Sequence, residues 1–186
     1  MSEVLSPGHQ AVVGLSGSPS PTSKSRVLVE YALAQFAALG GGGAKPALID
    51  LGTLPADVLL GRAGASAPAV TAALVAVSAA RIVVAGTPVY RATYSGLLKV
   101  FFDLLPQDGL MGKIGVPIVT GHDRGHSLAV DHGMRPLFAS LGATVIAGAV
   151  YATSAQFQDG KASPELRQAV DRAVREALAL AGATVP

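Results

Sequence analysis

Val12-Val13-Gly14-Leu15-Ser16-Gly17-Ser18-Pro19-Ser20-Pro21-Thr22-Ser23-Lys24-Ser25 passes from a short apolar run through small hydroxyl residues and ends where 26–39 takes up helical spacing. A short apolar run closed by glycine and serine reads as a buried strand, so the stretch is strand, loop, helix. Ser16, Ser18, Ser20, Thr22, Ser23 and Ser25 surround one cation, Lys24, with no carboxylate among them. Backbone N–H groups at a helix start are unpaired and lie at the positive end of the helix dipole, where hydroxyls and a lysine add donors and charge for an anion. Capping a helix takes one such hydroxyl, not six. The loop therefore reads as a phosphate cradle. Walker spacing fails, because the places that should hold glycine and lysine after Gly17 are Thr22 and Ser23. The dinucleotide fingerprint fails as well, because Gly14 and Gly17 have no third glycine in register.

Outward from this stretch the same order recurs. Apolar runs at 46–51, 81–85, 114–119 and 144–151 give four more strands, and helical patterns cover 68–80, 95 to about 105, 127–141 with an interruption at Pro136, and 164–181. Leu166, Val170, Val174 and Leu178 form one stripe on the last helix. The glycines at 40–43 stop the first helix and form a flexible joint, and 52–67 is an irregular excursion. Five apolar strands alternating with helices predict an α/β fold: a doubly wound five-stranded parallel sheet of order 2-1-3-4-5, with helices on both faces. Ligands of such sheets bind beyond the carboxyl ends of the strands, at the switch point between strands 1 and 3. The loops after strands 1, 3 and 4 are also the ones unusual in composition.

With 186 residues, half of them hydrophobic, the chain supports one domain. That domain is placed at 11–182, with 1–10 as a flexible N-terminus and 183–186 as a tail. Lysine and arginine number 14 against 12 aspartate and glutamate, a net charge of +2 without any block of like charge, which argues against a nucleic-acid-binding surface. The absence of cysteine excludes disulfides, thiolate metal sites and thiol nucleophiles, and with them the thiol-dependent phosphatases of similar fold. The N-terminal residues lack the basic start and apolar core of a secretion signal, and the apolar runs are broken short of a membrane span. A cytoplasmic protein without membrane attachment is expected.

Three segments together, Ser16-Gly17-Ser18-Pro19, Gly86-Thr87-Pro88-Val89-Tyr90 with Tyr94-Ser95-Gly96-Leu97-Leu98-Lys99, and Thr120-Gly121 with Leu128-Ala129-Val130-Asp131, resemble the NAD(P)H-dependent FMN reductases. The likeness runs from about 12 to 151, and within that family it looks most like the reductases that serve alkanesulfonate monooxygenases. It implies a flavodoxin-like fold, FMN as the flavin, and NADPH or NADH as the donor. Ser18, Ser23, Lys24 and Ser25 would hold the FMN phosphate, with Ser16 in the same loop. Members often carry arginine where Ser20 stands, which shifts the cationic share to Lys24. Pro88, Val89 and Tyr90 would line the ribityl chain and one ring edge, and Thr120, Gly121 and His122 the opposite part. Hydride transfer to flavin needs no side-chain acid or base, so the expected contributions are backbone donors near Tyr90 and Gly121.

Two further positions carry paired readings. Arg124 either meets a pyridine-nucleotide phosphate or pairs locally with Asp123. His132 stands where sulfonate-linked members often have tyrosine, as a one-residue helix insertion near a subunit contact, or else it is an exposed helical histidine. Such insertions form π-turns, and a helix holding Gly133 and Pro136 distorts readily. The resemblance also implies a homo-oligomer, dimer or tetramer, and a monooxygenase that takes up reduced flavin. The alternatives are a reductase of quinones or azo compounds with retained FMN, an electron-carrying flavodoxin, and a non-enzymatic phosphate-binding module. Against the flavodoxin stand the net charge and the 52–67 excursion.

Overall fold

The computed structural model describes residues 12–40, 46–61 and 67–182. The expected flexible N-terminus, the C-terminal tail and most of the glycine joint lie outside the described residues. In chain order the elements are β1 (Val12–Ser16), α1 (Lys24–Leu39), β2 (Ala47–Asp50), the short α2 (Ala56–Leu59), α3 (Pro68–Ala79), β3 (Ile82–Tyr90), β4 (Thr93–Tyr94) and α4 (Gly96–Phe102). Next come β5 (Ile114–Gly121), a π-turn (Val130–Met134), α5 (Arg135–Ala139), β6 (Thr144–Val145), β7 (Val150–Thr153), β8 (Phe157–Gln158), β9 (Lys161–Ala162) and α6 (Pro164–Gly182).

The parallel strands lie in the order β2-β1-β3-β5, with β6 and β7 sharing the fifth place beside β5. Counted by place in the sheet, this is the predicted order. Alternation along each strand sends Val13, Leu15, Val83, Ala85 and Val119 to the face covered by α3 and α4, and Val12, Ile82, Val84, Ile114 and Val116 to the face covered by α1 and α6. Each fully buried aliphatic side chain contributes roughly 1.5–3 kcal/mol, so the central strands anchor both layers. Serine side chains start the helices: Ser23 accepts the Arg26 N–H at 3.2 Å, Ser95 the Leu98 N–H at 3.1 Å and Ser163 the Leu166 N–H at 3.2 Å.

Four expectations need correction. β3 continues past Ala85 to Tyr90, because Thr87 and Pro88 pair with Val119 and Thr120, and Val89 and Tyr90 pair antiparallel with β4. Pro88 lies beyond the last β1 pair, Ser16 with Gly86, so its missing N–H falls where the strand has lost one neighbour. The fourth strand likewise extends to Gly121.

The fifth strand, expected unbroken over 144–151, is split. The Ala147 and Gly148 N–H groups turn to the Glu176 carboxylate at 2.6 and 2.8 Å, while the Ile146 and Ala147 carbonyls accept from Arg135 at 2.6 Å each. Those charge-assisted bonds replace ladder bonds. Finally, Pro136 does not interrupt its helix, because the wide turn before it, in which the Arg135 N–H donates to the Val130 carbonyl, relieves the crowding that a proline ring causes in a regular turn.

Candidate functional site

The loop between β1 and α1 is held by its own hydroxyls. Ser18 Oγ accepts the Ser20 N–H at 3.2 Å, Ser20 and Thr22 hydroxyls lie 3.3 Å apart, and Ser23 and Ser25 hydroxyls 2.9 Å apart. The loop is fixed to its neighbours by Ser95, whose hydroxyl donates to the Gly17 carbonyl and whose N–H donates to Thr87 Oγ1 at 2.9 Å. The Gly17 N–H completes the tie to the Gly86 carbonyl at 2.8 Å. Among the described residues no carboxylate pairs with Lys24, whose ammonium lies 5.6 Å from the Phe157 ring centre. Arg26, by contrast, is occupied by Glu30 and Asp50, and Glu30 is the main reason its pKa is raised. Lys24 is thus the cation of the loop that remains available to an anion.

A cleft of about 440 Å³ opens above this loop at the carboxyl end of the sheet. Its walls are Ser18, Ser20, Thr22, Ser23 and Lys24 from the first loop, Pro88, Val89 and Tyr90 from the end of β3, Thr120, Gly121 and His122 from the end of β5, and Ser154. Among the described residues no carboxylate lines it. Ser16 and Ser25, expected in the same site, lie beneath it: both are buried, Ser25 is bonded to Ser23, and Ser16 Oγ has no hydrogen-bond partner among the described residues. Counting hydroxyls in a loop cannot tell which of them turn inward. Ser20, Thr22 and Ser154 are cleft residues beyond those the sequence implies, although the first two stand in the hydroxyl run that signals the loop. Ser154 gives no such signal, since it reaches the cleft only because β7 pairs with β5.

The far end of the cleft rests on a hairpin. Val89 and Tyr90 pair with Tyr94 and Thr93, and the turn residues Arg91 and Ala92 have φ of 50° and 69°. Such values suit a tight hairpin but are uncommon for residues with a side chain, and each costs of order 1 kcal/mol or more. Gly133 of the π-turn packs on this hairpin, where a Cβ would stand 2.8 Å from Thr93 Oγ1 and 3.2 Å from the Tyr94 ring. The neighbouring His132 is exposed within the wide turn. Arg135 holds the π-turn from the other side, pairing with Asp131 at 2.7 Å while gripping the bulge between β6 and β7.

The loop after β5 has a separate anchor. Tyr151 donates its hydroxyl to the Asp123 carbonyl and lies so close to Gly121 that a Cβ there would overlap the phenol. Burial, with the Asp123 charge adding to it, holds the Tyr151 pKa above the ordinary tyrosine value. Of the two readings of Arg124, the local pair with Asp123 is not formed among the described residues; Asp123 accepts the Gly125 N–H at 2.8 Å and lies 3.5 Å from His126 Nδ1. Arg124 is exposed and lines a neighbouring cleft. No group of three His, Asp or Glu side chains able to hold a metal occurs among the described residues, and none of their helices is long and apolar enough to cross a membrane.

An open parallel sheet whose first strand-to-helix loop turns hydroxyls and a lysine toward a cleft at the switch point defines a flavodoxin-like protein that accepts a phosphorylated ligand. The chain belongs to the NADPH-dependent FMN reductase family, whose model matches residues 11–158. It is 34% identical to the FMN reductase (NADPH) of Pseudomonas putida over 169 residues, 90% of this chain and 84% of that protein. Similarity to the NADH-dependent FMN reductase SfnE of Pseudomonas putida is 36% identity over 170 residues, 88% of this chain and 90% of the relative. Among solved structures, the apo form of the NADH:FMN oxidoreductase EMOB superimposes with a TM-score of 0.83 at 32% identity, covering 92% of this chain and 89% of that one.

Proposed function

We propose that this NAD(P)H-dependent FMN reductase grips the flavin by its phosphate, leaves the ring end open, and releases reduced flavin to a separate flavin-dependent monooxygenase. The carrying observation is the contrast along one cleft: Ser18 and Ser23 are 3% and 6% exposed, whereas Tyr90 at the other end is 47% exposed. The orphaned, buried Ser16 Oγ beneath the loop and a lining in which the hydroxyls of Ser20, Thr22 and Ser23 can donate beside the Lys24 ammonium fit a phosphate monoester.

Bound in this cleft, FMN would supply the hydride-accepting isoalloxazine ring. The protein's share is to place and stabilise. Lys24 and the loop hydroxyls bind the phosphate, with the first N–H groups of α1 adding donors at the helix dipole. Pro88 to Tyr90 and Thr120 to His122, which line the cleft from two sides, would position the ring. Backbone N–H groups near Tyr90 and Gly121 would be the donors that stabilise negative charge on the reduced ring. The same reading includes a cytoplasmic location and a homo-oligomer. For the oligomer the supporting features are the exposed His132 on the π-turn and the outward face of α3, where Ala69, Ala72, Val75 and Ala79 are exposed and no residue of the helix is charged.

Anaerobic mixing with NADH or NADPH and FMN, followed by flavin bleaching and then gel filtration, tests the reading. Bleaching, with most reduced flavin recovered in the protein-free fractions, is the expected result. Bleached flavin that co-elutes with the protein would contradict release and favour a reductase with retained FMN. Absence of bleaching with either nucleotide would contradict the reductase itself.

A further inference from the structure

A second cleft of about 430 Å³ adjoins the first and is lined by Arg124, Ser127, Tyr151, Thr153 and Gln156. The two meet at the edge of the sheet. Gly121 pairs with Thr153 across β5 and β7; Gly121, His122 and Ser154 line the first cleft, while Thr153 and Arg124 line the second. Gln156 Oε1 is committed to the Thr153 N–H at 2.9 Å and to the Thr153 hydroxyl at 3.3 Å, so the amide NH2 is the end of that side chain left to donate. Tyr151 donates its hydroxyl hydrogen bond to the Asp123 carbonyl and serves as a wall. Among the described residues Arg124 has no carboxylate partner, and no carboxylate lines this cleft. What remains is one guanidinium, the Ser127 hydroxyl and the Gln156 amide, a set of donors beside the wall of the flavin cleft that Gly121, His122 and Ser154 form.

We propose that the second cleft is the subsite for the phosphate groups of the nicotinamide nucleotide, with Arg124 as the cation and Ser127 and Gln156 as neutral donors. The proposal rests on the reductase reading above. A nicotinamide stacked on a flavin in the first cleft would carry its phosphates a ribose away, and the chain that lines that cleft at His122 lines the second at Arg124. The guanidinium can bind either the pyrophosphate common to NADH and NADPH or the 2′-phosphate of NADPH alone, and the two sources separate by experiment.

The test compares the wild type with Arg124→Ala and Arg124→Lys. KM is measured for NADH and for NADPH with FMN saturating, and ADP-ribose, which carries the pyrophosphate without nicotinamide, is titrated calorimetrically into the flavin-loaded protein. Removing the guanidinium should raise KM about tenfold, the lower end for a hydrogen bond to a charged group at an exposed site, with partial recovery in Arg124→Lys and unchanged FMN affinity. An equal rise for both nucleotides, together with weaker ADP-ribose binding, assigns the pyrophosphate. A rise for NADPH alone assigns the 2′-phosphate. Unchanged KM for both nucleotides with unchanged ADP-ribose affinity overturns the subsite. If the wild type oxidises neither nucleotide the reductase reading fails instead, and the ADP-ribose titration still judges the cleft independently of turnover.

Discussion

At the phosphate end of the cleft one contiguous loop, 17–23, folds its hydroxyls onto each other and onto α1, and the buried Ser95 locks it to the next loop. At the ring end three distant segments meet: the tip of β3 with its strained hairpin turn, the loop after β5 pinned by Tyr151, and the π-turn seated on the hairpin through Gly133. The first end is held by hydrogen bonds of buried hydroxyls, those of Ser18, Ser23, Ser25 and Ser95. The second is held by a few contacts between elements that each carry some backbone irregularity. A ligand gripped at one end by charge and met at the other by an adjustable, exposed surface can bind with selectivity and still leave.

Breaking the phosphate end outright should have the largest effect. A Cβ at Gly86 would overlap the Val29 side chain and lie 3.0 Å from the Ser25 carbonyl oxygen, so Gly86→Val pushes the start of α1 off the sheet. Overpacking of this kind costs about 3 kcal/mol, read as a lowered midpoint in thermal or denaturant unfolding, and FMN and riboflavin binding should fall together. At the ring end Gly121→Ala drives a methyl into the Tyr151 phenol, with an expected cost of about 1–3 kcal/mol. Tyr151→Phe in the same chain should recover part of that loss by removing the nearest atom. No recovery would place the damage elsewhere than in the Gly121–Tyr151 contact.

Smaller effects sharpen the contrast. Deleting His132 should restore a regular helix, since the wide turn closes, and alter the seat of the hairpin without touching the strands. The expected outcome is tighter flavin retention on gel filtration and slower transfer of reduced flavin to a monooxygenase, with the fold intact by circular dichroism. A deletion variant that releases and transfers flavin as before would detach the π-turn from the ring end. The smallest effect is a pH dependence. Because the folded-state pKa of Tyr151 lies above the unfolded value of about 10, its contribution to stability is complete below that pH and is lost as pH rises through the folded value. An ultraviolet titration of the wild type against Tyr151→Phe isolates this tyrosine from the other three in the chain.

How far each end could be read from sequence follows from the same difference. The phosphate loop is local: an apolar run, a hydroxyl cluster and a helix occupy consecutive residues, and strand order follows from the alternation of such units. The ring end depends on contacts between segments far apart in the chain. Nothing in Arg91-Ala92 signals a hairpin, because both residues adopt a conformation more typical of glycine or asparagine. Likewise the break in the fifth strand is set by Arg135 and Glu176 reaching its backbone from two other elements. Gly133 and Pro136 did announce a distorted helix, but its contact with Thr93 could be seen only in three dimensions.

The account stands most directly on a phosphate grip centred on Lys24. Parallel fluorescence titrations of wild type and Lys24→Ala with FMN and with riboflavin, which lacks the phosphate, measure that grip alone. The predicted result is a loss of about 1.5–3 kcal/mol in FMN affinity, the range for a hydrogen bond to a charged group, with riboflavin affinity nearly unchanged. Equal losses for the two flavins, or none for either, would contradict it.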